Sequence, residues 1–446
     1  MHRYIPSTSA EQQELLKSIG ANSIEDLFVD IPSNLRFKGD LNIGEGLSEL
    51  ELTKHIQELA NKNESGLTCF MGAGAYDHFS PSVINHIALR QEFFTAYTPY
   101  QPEISQGTVT AIFEFQTMMS RLTGMEVTNA SMYDGQTATA EAVALACENT
   151  KRSKIVVSAG LGKDTIEVIK TADETKGIEI IVAPLKDGAT DIEATKALMG
   201  DDVAGLVVKS PNFFGIVEDL GALEAVAHSD KKSMFIVNTD PSSLGILKAP
   251  GEFGADVVVG EAQTLGIPMS FGGPYLGFLS VNKKLVRKIP GRVVGQSTDA
   301  EGNRAFVLTL QAREQHIRRY KATSNICSNQ GLIMLMATIY MSLMGEQGLK
   351  EVATQSMQKA HYAYEKLVAT GKFKPMFPGK PFFKEFALVA DADVKKINEE
   401  LLKSGILGGY ELGKDYAEYG NGVLIAVTEK RTKEEIDELV RIMEAI

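Results

Sequence analysis

Asp240 closes the segment "MFIVNTD" and Gln263 follows "ADVVVGE", so each sits where a short strand rich in Val and Ile should end. Upstream, "SMYDGQTATAEAV" puts Asp134, Gly135 and Thr137 at the start of a helical pattern, where free backbone N–H groups can hold an anion. A second polar group lies in "AYTPYQPEISQG". Pro99 and Pro102 stiffen an extended turn there, and Tyr97, Thr98, Tyr100, Gln101, Glu103, Ser105 and Gln106 offer donors and acceptors on that frame. A third is Thr323, Ser324 and Asn325 in "KATSNIC", small side chains that follow a basic stretch and can meet a phosphate or cap the next helix. His78 and His86 are acid–base candidates, although isolated histidines are commonly satisfied structural residues. "GAGAYD" has neither the lysine-hydroxyl tail of a phosphate loop nor the spacing of a dinucleotide fingerprint.

The elements that must position these groups alternate. "KIVVSAG", "IEIIVAP", "VAGLVVKSP", "MFIVNTD" and "ADVVVGE" are apolar runs separated in several places by helical patterns such as "KDTIEVIKTAD" and "DIEATKALMG". The series predicts a mostly parallel sheet covered by helices over residues 66–330, with ligands at the C-terminal ends of the strands. Residues 1–65 read as an amphipathic helical arm suited to clasping a neighbouring subunit. Residues 331–446 read as a helix followed by a small α+β domain, whose last helix opens on the capping box "TKEE".

At 446 residues the chain exceeds what one hydrophobic core usually serves, hence a large domain with a companion. Its net charge of −12 argues against nucleic acid and anionic membranes as partners. Cys69, Cys147 and Cys327 are odd in number and widely spaced, which suggests neither a disulfide framework nor a metal site, and points to a reducing, cytoplasmic compartment. The N-terminus has no apolar signal core. The run "LIMLMATIYMSLM" is shorter than the roughly 20 residues a bilayer requires, and is expected to be buried or subunit-facing.

A helix start for a phosphate, an aspartate for a pyridine nitrogen and a lysine for a Schiff base make up the layout of pyridoxal-phosphate enzymes of the aminotransferase-like fold (fold type I). Here the layout is present and the nucleophile is not. An amide nitrogen shares its lone pair with the carbonyl and cannot attack an aldehyde. No lysine lies between Lys248 and Lys283. Residues 331–430 also lack any arginine of the kind that clamps a substrate carboxylate.

"FMGAGAYDHFSP", "AYTPYQPEISQGTVTAIFEFQTM", "GEAQTLGIPMSFGGPYLGF" and "REQHIRRYKATSNICSNQG" together resemble the glycine decarboxylase family, the P protein of the glycine cleavage system, and within it the first subunit of the two-subunit bacterial form. In that family the second subunit carries the cofactor lysine in a segment like H-K-T-x-x-I-P, matched here by Ala262-Gln263-Thr264-Leu265-Gly266-Ile267-Pro268. The resemblance implies that pyridoxal phosphate is held by subunit 2 and not covalently by this chain. It also implies a heterotetramer of two copies of each subunit, decarboxylation of glycine, and transfer of the aminomethyl group to the lipoyl arm of H protein. On that basis Asp134, Thr137, Asp240 and Gln263 form a relic cofactor site, and the loop at 97–106 with Thr323, Ser324 and Asn325 faces substrate at the subunit interface. Two alternatives remain open at this point. The chain could be a scaffold that stabilises subunit 2 or docks H protein, or a self-sufficient enzyme using Lys248 or Lys283.

Overall fold

The computed structural model describes residues 7–446, so the first residues of the expected helix entry lie outside the described residues. Two compact units divide the chain, Met1–Ser65 and Gly66–Ile446. In the first, α1 (Ser9–Ser18) starts at Thr8, whose side chain accepts from the Glu11 N–H while Glu11 reaches back to the Thr8 N–H. Ser48 and Glu51 repeat that box at the head of α2 (Glu49–Ala60). Between them only one 3₁₀ turn, Ile24–Phe28, is regular. The arm is therefore less helical than its amphipathic pattern suggests. Pro32 and the glycines at 39, 44 and 46 oppose helix through a missing N–H and backbone entropy.

The second unit is organised by a seven-stranded sheet. Its strands are β1 (Val127–Thr128), β2 (Lys154–Ser158), β3 (Glu179–Ala183), β4 (Val203–Lys209), β5 (Met234–Asn238), β6 (Val257–Glu261) and β7 (Gly277–Val281), in spatial order β1-β7-β6-β5-β4-β2-β3. Strands β2 to β6 pair in parallel, while β7 returns antiparallel to β6 and carries β1 at the edge. The five parallel strands are those the apolar runs predict. β7 lies in a glycine-rich stretch that reads as a turn, and β1 is only two residues long. In β5 every residue is buried, and so is β4 up to its last one, because helices cover both faces.

Among those helices are α3 (Gln106–Thr123), α4 (Gly135–Thr150), α5 (Lys163–Asp173), α6 (Ile192–Leu198) and α7 (Leu220–Ala227). A hairpin of β8 (Val293–Thr298) and β9 (Arg304–Thr309) follows the sheet. Next comes α8 (Gly331–Ala369), much longer than the apolar run it contains. By length and composition α8 could cross a membrane. However, Met334, Ala337, Tyr340 and Met341 pack into the core beside the sheet, and Gly345 (φ 58°, ψ −171°) breaks the helical geometry just after that run. The C-terminal part is a four-stranded antiparallel sheet of β10 (Phe373–Pro375), β11 (Glu385–Ala390), β12 (Tyr410–Glu411) and β13 (Gly422–Ala426), backed by α9 (Val394–Lys403) and α10 (Lys433–Ala445). This arrangement aims Lys384, immediately before β11, at the C-terminal ends of β5 and β6.

Candidate functional site

The ends of β4, β5 and β6, the start of α4 and the start of β11 enclose a cavity of about 50 Å³ lined by Lys209, Asp240, Glu261, Thr264, Lys384 and Glu385. Asp240 caps the turn after β5: its Oδ1 accepts from the Ser242 N–H (2.9 Å), the Ser242 hydroxyl (2.9 Å) and the Thr264 hydroxyl (2.7 Å). Its Oδ2 lies 2.6 Å from Lys384 Nζ. Lys384, only 2% exposed, also donates to His78 Nε2 (2.8 Å) and Ser242 Oγ (3.1 Å), so the ion pair with Asp240 is flanked by two hydrogen bonds from the same nitrogen. The same nitrogen stands 3.8 Å from the centroid of the Tyr76 ring, a cation–π contact shielded from water.

Burial works to raise the Asp240 carboxyl, but the adjacent Lys384 charge outweighs it and holds the group at about 2. His78 is pushed below its ordinary value by burial and by Lys384. Geometry agrees with a neutral ring. Nε2 must accept from Lys384, which leaves the proton on Nδ1, 2.6 Å from Glu429 Oε2. Glu385, entering from β11, accepts from the Tyr76 hydroxyl (2.8 Å) and the Ala73 N–H (2.6 Å), and burial raises its carboxyl.

Gln263 is fully buried. Its Nε2 donates to the carbonyls of Tyr76 (3.0 Å) and Ile267 (2.6 Å), and its Oε1 accepts from the Tyr76 N–H (3.0 Å). The amide thus ties the 72–78 segment to the turn after β6. At the helix start, Asp134 and Thr137 cap α4 reciprocally, with Thr137 N–H to Asp134 Oδ1 at 2.7 Å. The Gly135 N–H is given to Glu261 Oε2 (3.0 Å), while Glu261 Oε1 accepts from Gln263 N–H (3.1 Å) and Leu276 N–H (3.0 Å). Burial carries the Glu261 carboxyl up to about 7 despite these donors. α4 sits so close to β6 that a Cβ on Gly135 would lie 2.8 Å from the Glu261 nitrogen.

The arrangement does not fit a pyridoxal phosphate. A cavity of about 50 Å³ has room for a few waters, against the roughly 300 Å³ or more typical of a ligand site. Position 263 after β6 offers a carboxamide and no amine, the aspartate already has a cation, and the helix start already has an acceptor. Lys248 and Lys283 are both exposed, and neither lines the cavity. Lys384 and Glu261 were not signalled by the sequence, since Lys384 reads as the polar lead-in to a strand and Glu261 as its polar end.

The 97–106 loop is exposed at its tip and anchored at its base. Tyr97 is 82% and Ile104 81% exposed, with Gln101 and Glu103 also open to solvent. Pro99 is buried, Thr98 Oγ1 lies 2.8 Å from Ser328 Oγ, and the Tyr100 ring sits 5.1 Å from the buried Arg292 guanidinium. Arg292 in turn bonds the Cys327 carbonyl at 2.5 Å. Ser105 is the N-cap of α3 without a side-chain capping bond, and the Gln106 amide is zipped to both backbone groups of Phe306. The loop is therefore pinned to the segment at 327–328. Thr323, Ser324 and Asn325 lie instead around a separate open cavity of about 520 Å³ shared with Thr137, Glu141, Lys176 and Arg319, where Ser324 Oγ donates to Glu141 Oε1 at 2.9 Å. The stretch before them holds a four-residue helix, Gln315–Arg318, between two 3₁₀ turns, Gln311–Arg313 and Arg319–Lys321, and α8 begins at Gly331 after Gln330.

Compared with known proteins, residues 2–443 match the family model described as glycine cleavage system P-protein. A Geobacillus thermodenitrificans protein named probable glycine dehydrogenase (decarboxylating) subunit 1 is 54% identical over 442 residues, covering 99% of this chain and 98% of that one. A Moorella thermoacetica protein of the same name is 52% identical over 443 residues, with 99% of each covered. A crystal structure of glycine decarboxylase (P-protein) of the glycine cleavage system, in inhibitor-bound form, superposes with a TM-score of 0.90 at 42% identity over 99% of both chains. Glutamate decarboxylase of Lactobacillus brevis, at 13% identity and a TM-score of 0.70 over 95% of this chain and 96% of that one, shares the fold alone. The fold is that of the type I pyridoxal-phosphate enzymes, as the strand pattern leads one to expect.

Proposed function

Because this chain belongs to the glycine cleavage system P-protein family, we propose that it is the non-cofactor subunit of a two-subunit glycine decarboxylase, inactive alone and completing a site held by subunit 2. The observation that carries this reading is Gln263. Where the layout calls for an amine there is a buried carboxamide whose N–H groups are both bonded to backbone carbonyls.

The partner's pyridoxal phosphate supplies the electron sink for the carbanion left when glycine loses carbon dioxide. This chain's contribution is positional. A loop with a fixed base and an open tip can present Tyr97, Gln101 and Glu103 to a neighbouring pocket with little entropy left to lose, and so orient glycine or the lipoyl arm of H protein. Thr323, Ser324 and Asn325 border the larger open cavity beside Lys176 and Arg319, a setting suited to an anion from across the interface. The expected assembly is a cytoplasmic heterotetramer of two copies of each subunit.

A second reading, a scaffold that only stabilises subunit 2 or docks H protein, is favoured by the exposure of the same loop, since exposed aromatic residues also serve docking. Purification of the chain alone and with its partner decides the main point: glycine-dependent release of carbon dioxide should need both. Turnover by the isolated chain would overturn the proposal. Unchanged turnover in an intact complex after replacing Tyr97, Tyr100 and Glu103 would favour the scaffold.

A further inference from the structure

The cavity at the ends of β5 and β6 holds a distribution of charge that matches, group for group, what a pyridoxal phosphate would bring to an aminotransferase-like site. Such a cofactor offers a protonated ring nitrogen to an aspartate, acceptor oxygens to a helix start, and an aldehyde carbon to an amine. Here Asp240 receives a cation, the Lys384 ammonium, in an ion pair at 2.6 Å. The Gly135 N–H at the start of α4 receives an acceptor oxygen at 3.0 Å from Glu261. The position of the amine holds an amide that has turned away to bond Tyr76 and Ile267. Tyr76, whose ring face could otherwise cover a flat heterocycle, is covered by the Lys384 nitrogen at 3.8 Å.

We infer that this subunit fills its former cofactor pocket with its own side chains: Lys384 stands in for the ring cation on Asp240, and Glu261 for the phosphate acceptor at the start of α4. The pocket is a permanently occupied internal joint rather than an empty relic. Two further carboxylates tie the C-terminal part to the 73–79 segment beside the joint. Glu385 binds the Ala73 N–H and the Tyr76 hydroxyl, and Glu429 binds His78 and the Phe79 N–H. In an enzyme that binds its cofactor here, those charges would arrive with the ligand. In this chain they are built in, so the closed arrangement needs no ligand. The inference goes beyond the proposed function, which concerns where the reaction occurs; it concerns what occupies the site where it does not.

The test removes each stand-in and offers the corresponding fragment. Lys384→Ala exposes Asp240 and should gain affinity for 3-hydroxypyridine, while Glu261→Ala frees three backbone N–H groups and should gain affinity for inorganic phosphate. Each gain should be about tenfold or more over the unaltered chain, read by calorimetry and by thermal stabilisation, with neither variant responding to the other's fragment. The double variant should take up pyridoxal 5′-phosphate without a borohydride-stable adduct at position 263. Folded variants that bind neither fragment would overturn the inference and leave the proposed function intact. Should the variants fail to fold, the unaltered chain still decides. After treatment with pyridoxal 5′-phosphate and borohydride, peptide mapping should find Lys209 and Lys384 unlabelled in the native chain and labelled once it is unfolded. Labelling of Lys384 in the native chain would overturn both this inference and the assignment of the cofactor to the partner.

Discussion

Gln263 and Tyr76 clasp each other in both directions: the amide oxygen accepts the Tyr76 N–H at 3.0 Å, and the amide nitrogen donates to the Tyr76 carbonyl at 3.0 Å. A backbone segment remote in sequence is thereby held by one side chain that has both a donor and an acceptor. Glutamine can do this and lysine cannot, because an ammonium group only donates.

Restoring a lysine should therefore not restore a cofactor site. In Gln263→Lys the Tyr76 N–H is left buried without an acceptor, at a cost of about 1–3 kcal/mol, and the new amine still faces a filled pocket. Urea unfolding should show the loss, and borohydride treatment with pyridoxal 5′-phosphate should leave residue 263 unlabelled. A stoichiometric adduct at that position, in a variant of undiminished stability, would contradict this account.

Lys384 and Asp240 are both deeply placed, so removal of one strands the other. Lys384→Met should cost about 3–5 kcal/mol, since it leaves a buried carboxylate uncompensated. The double change Lys384→Met with Asp240→Asn should cost less than the two single changes added together, because no charge is then left without a partner. A double-mutant cycle by chemical denaturation measures this, and strict additivity would mean that the pair is not coupled.

The large domain was readable because its central strands, β2, β4, β5 and β6, are buried on both faces and so appear as unbroken apolar runs rich in Val and Ile, while the more exposed β3 keeps a similar run. β7 escaped because Gly277 and the glycines before it read as turn, although Gly277 is needed to let the strand pass so close to the Asp134 carbonyl that a Cβ would collide with it. Similarly, Gln263 and Asp240 could be found from their places after strands. Lys384 could not. It reaches them across more than a hundred residues of sequence, and one lysine before an apolar run looks the same whether it points to solvent or into a core. The exposed tip of the 97–106 loop was legible from Pro99 and Pro102, but the inward turn of Gln106 depends on the edge of β9, which no local pattern announces.

Glu261 gives the chain a distinctive pH response. Its carboxyl is raised by burial to about 7 from an unfolded value near 4.5, so between those values the folded state keeps a proton that the unfolded state has lost. Its contribution is complete below the unfolded value and is lost as pH rises through 7. The shift corresponds to about 3 kcal/mol as an order of magnitude. Glu261→Gln should lower stability in acid, where it disturbs the donors at Gly135 and Leu276, and flatten the decline between about pH 5 and pH 8. Urea unfolding across that range tests it. Parallel curves for variant and unaltered chain would show that Glu261 does not carry the dependence.

The loop supplies the last test, because it separates residues that hold its shape from those that face outward. Gln106 bonds both backbone groups of Phe306, so Gln106→Ala should destabilise the isolated chain by about 1–3 kcal/mol by stranding them. Tyr97 is 82% exposed and Glu103 is also open, so neither should affect the isolated chain's stability by more than about 0.5 kcal/mol. If these two orient glycine or the lipoyl arm at the partner's site, Tyr97→Phe and Glu103→Gln should lower turnover of the assembled decarboxylase by about 10²-fold, since small displacements of a positioned reactant have effects of that size. Steady-state kinetics alongside sedimentation of the complex distinguishes a loss of chemistry from a loss of assembly. Turnover within a few fold of normal in a complex that still forms would leave the loop as a docking surface, because a group that touches the reacting molecule cannot be altered without consequence while one that merely covers a neighbour can.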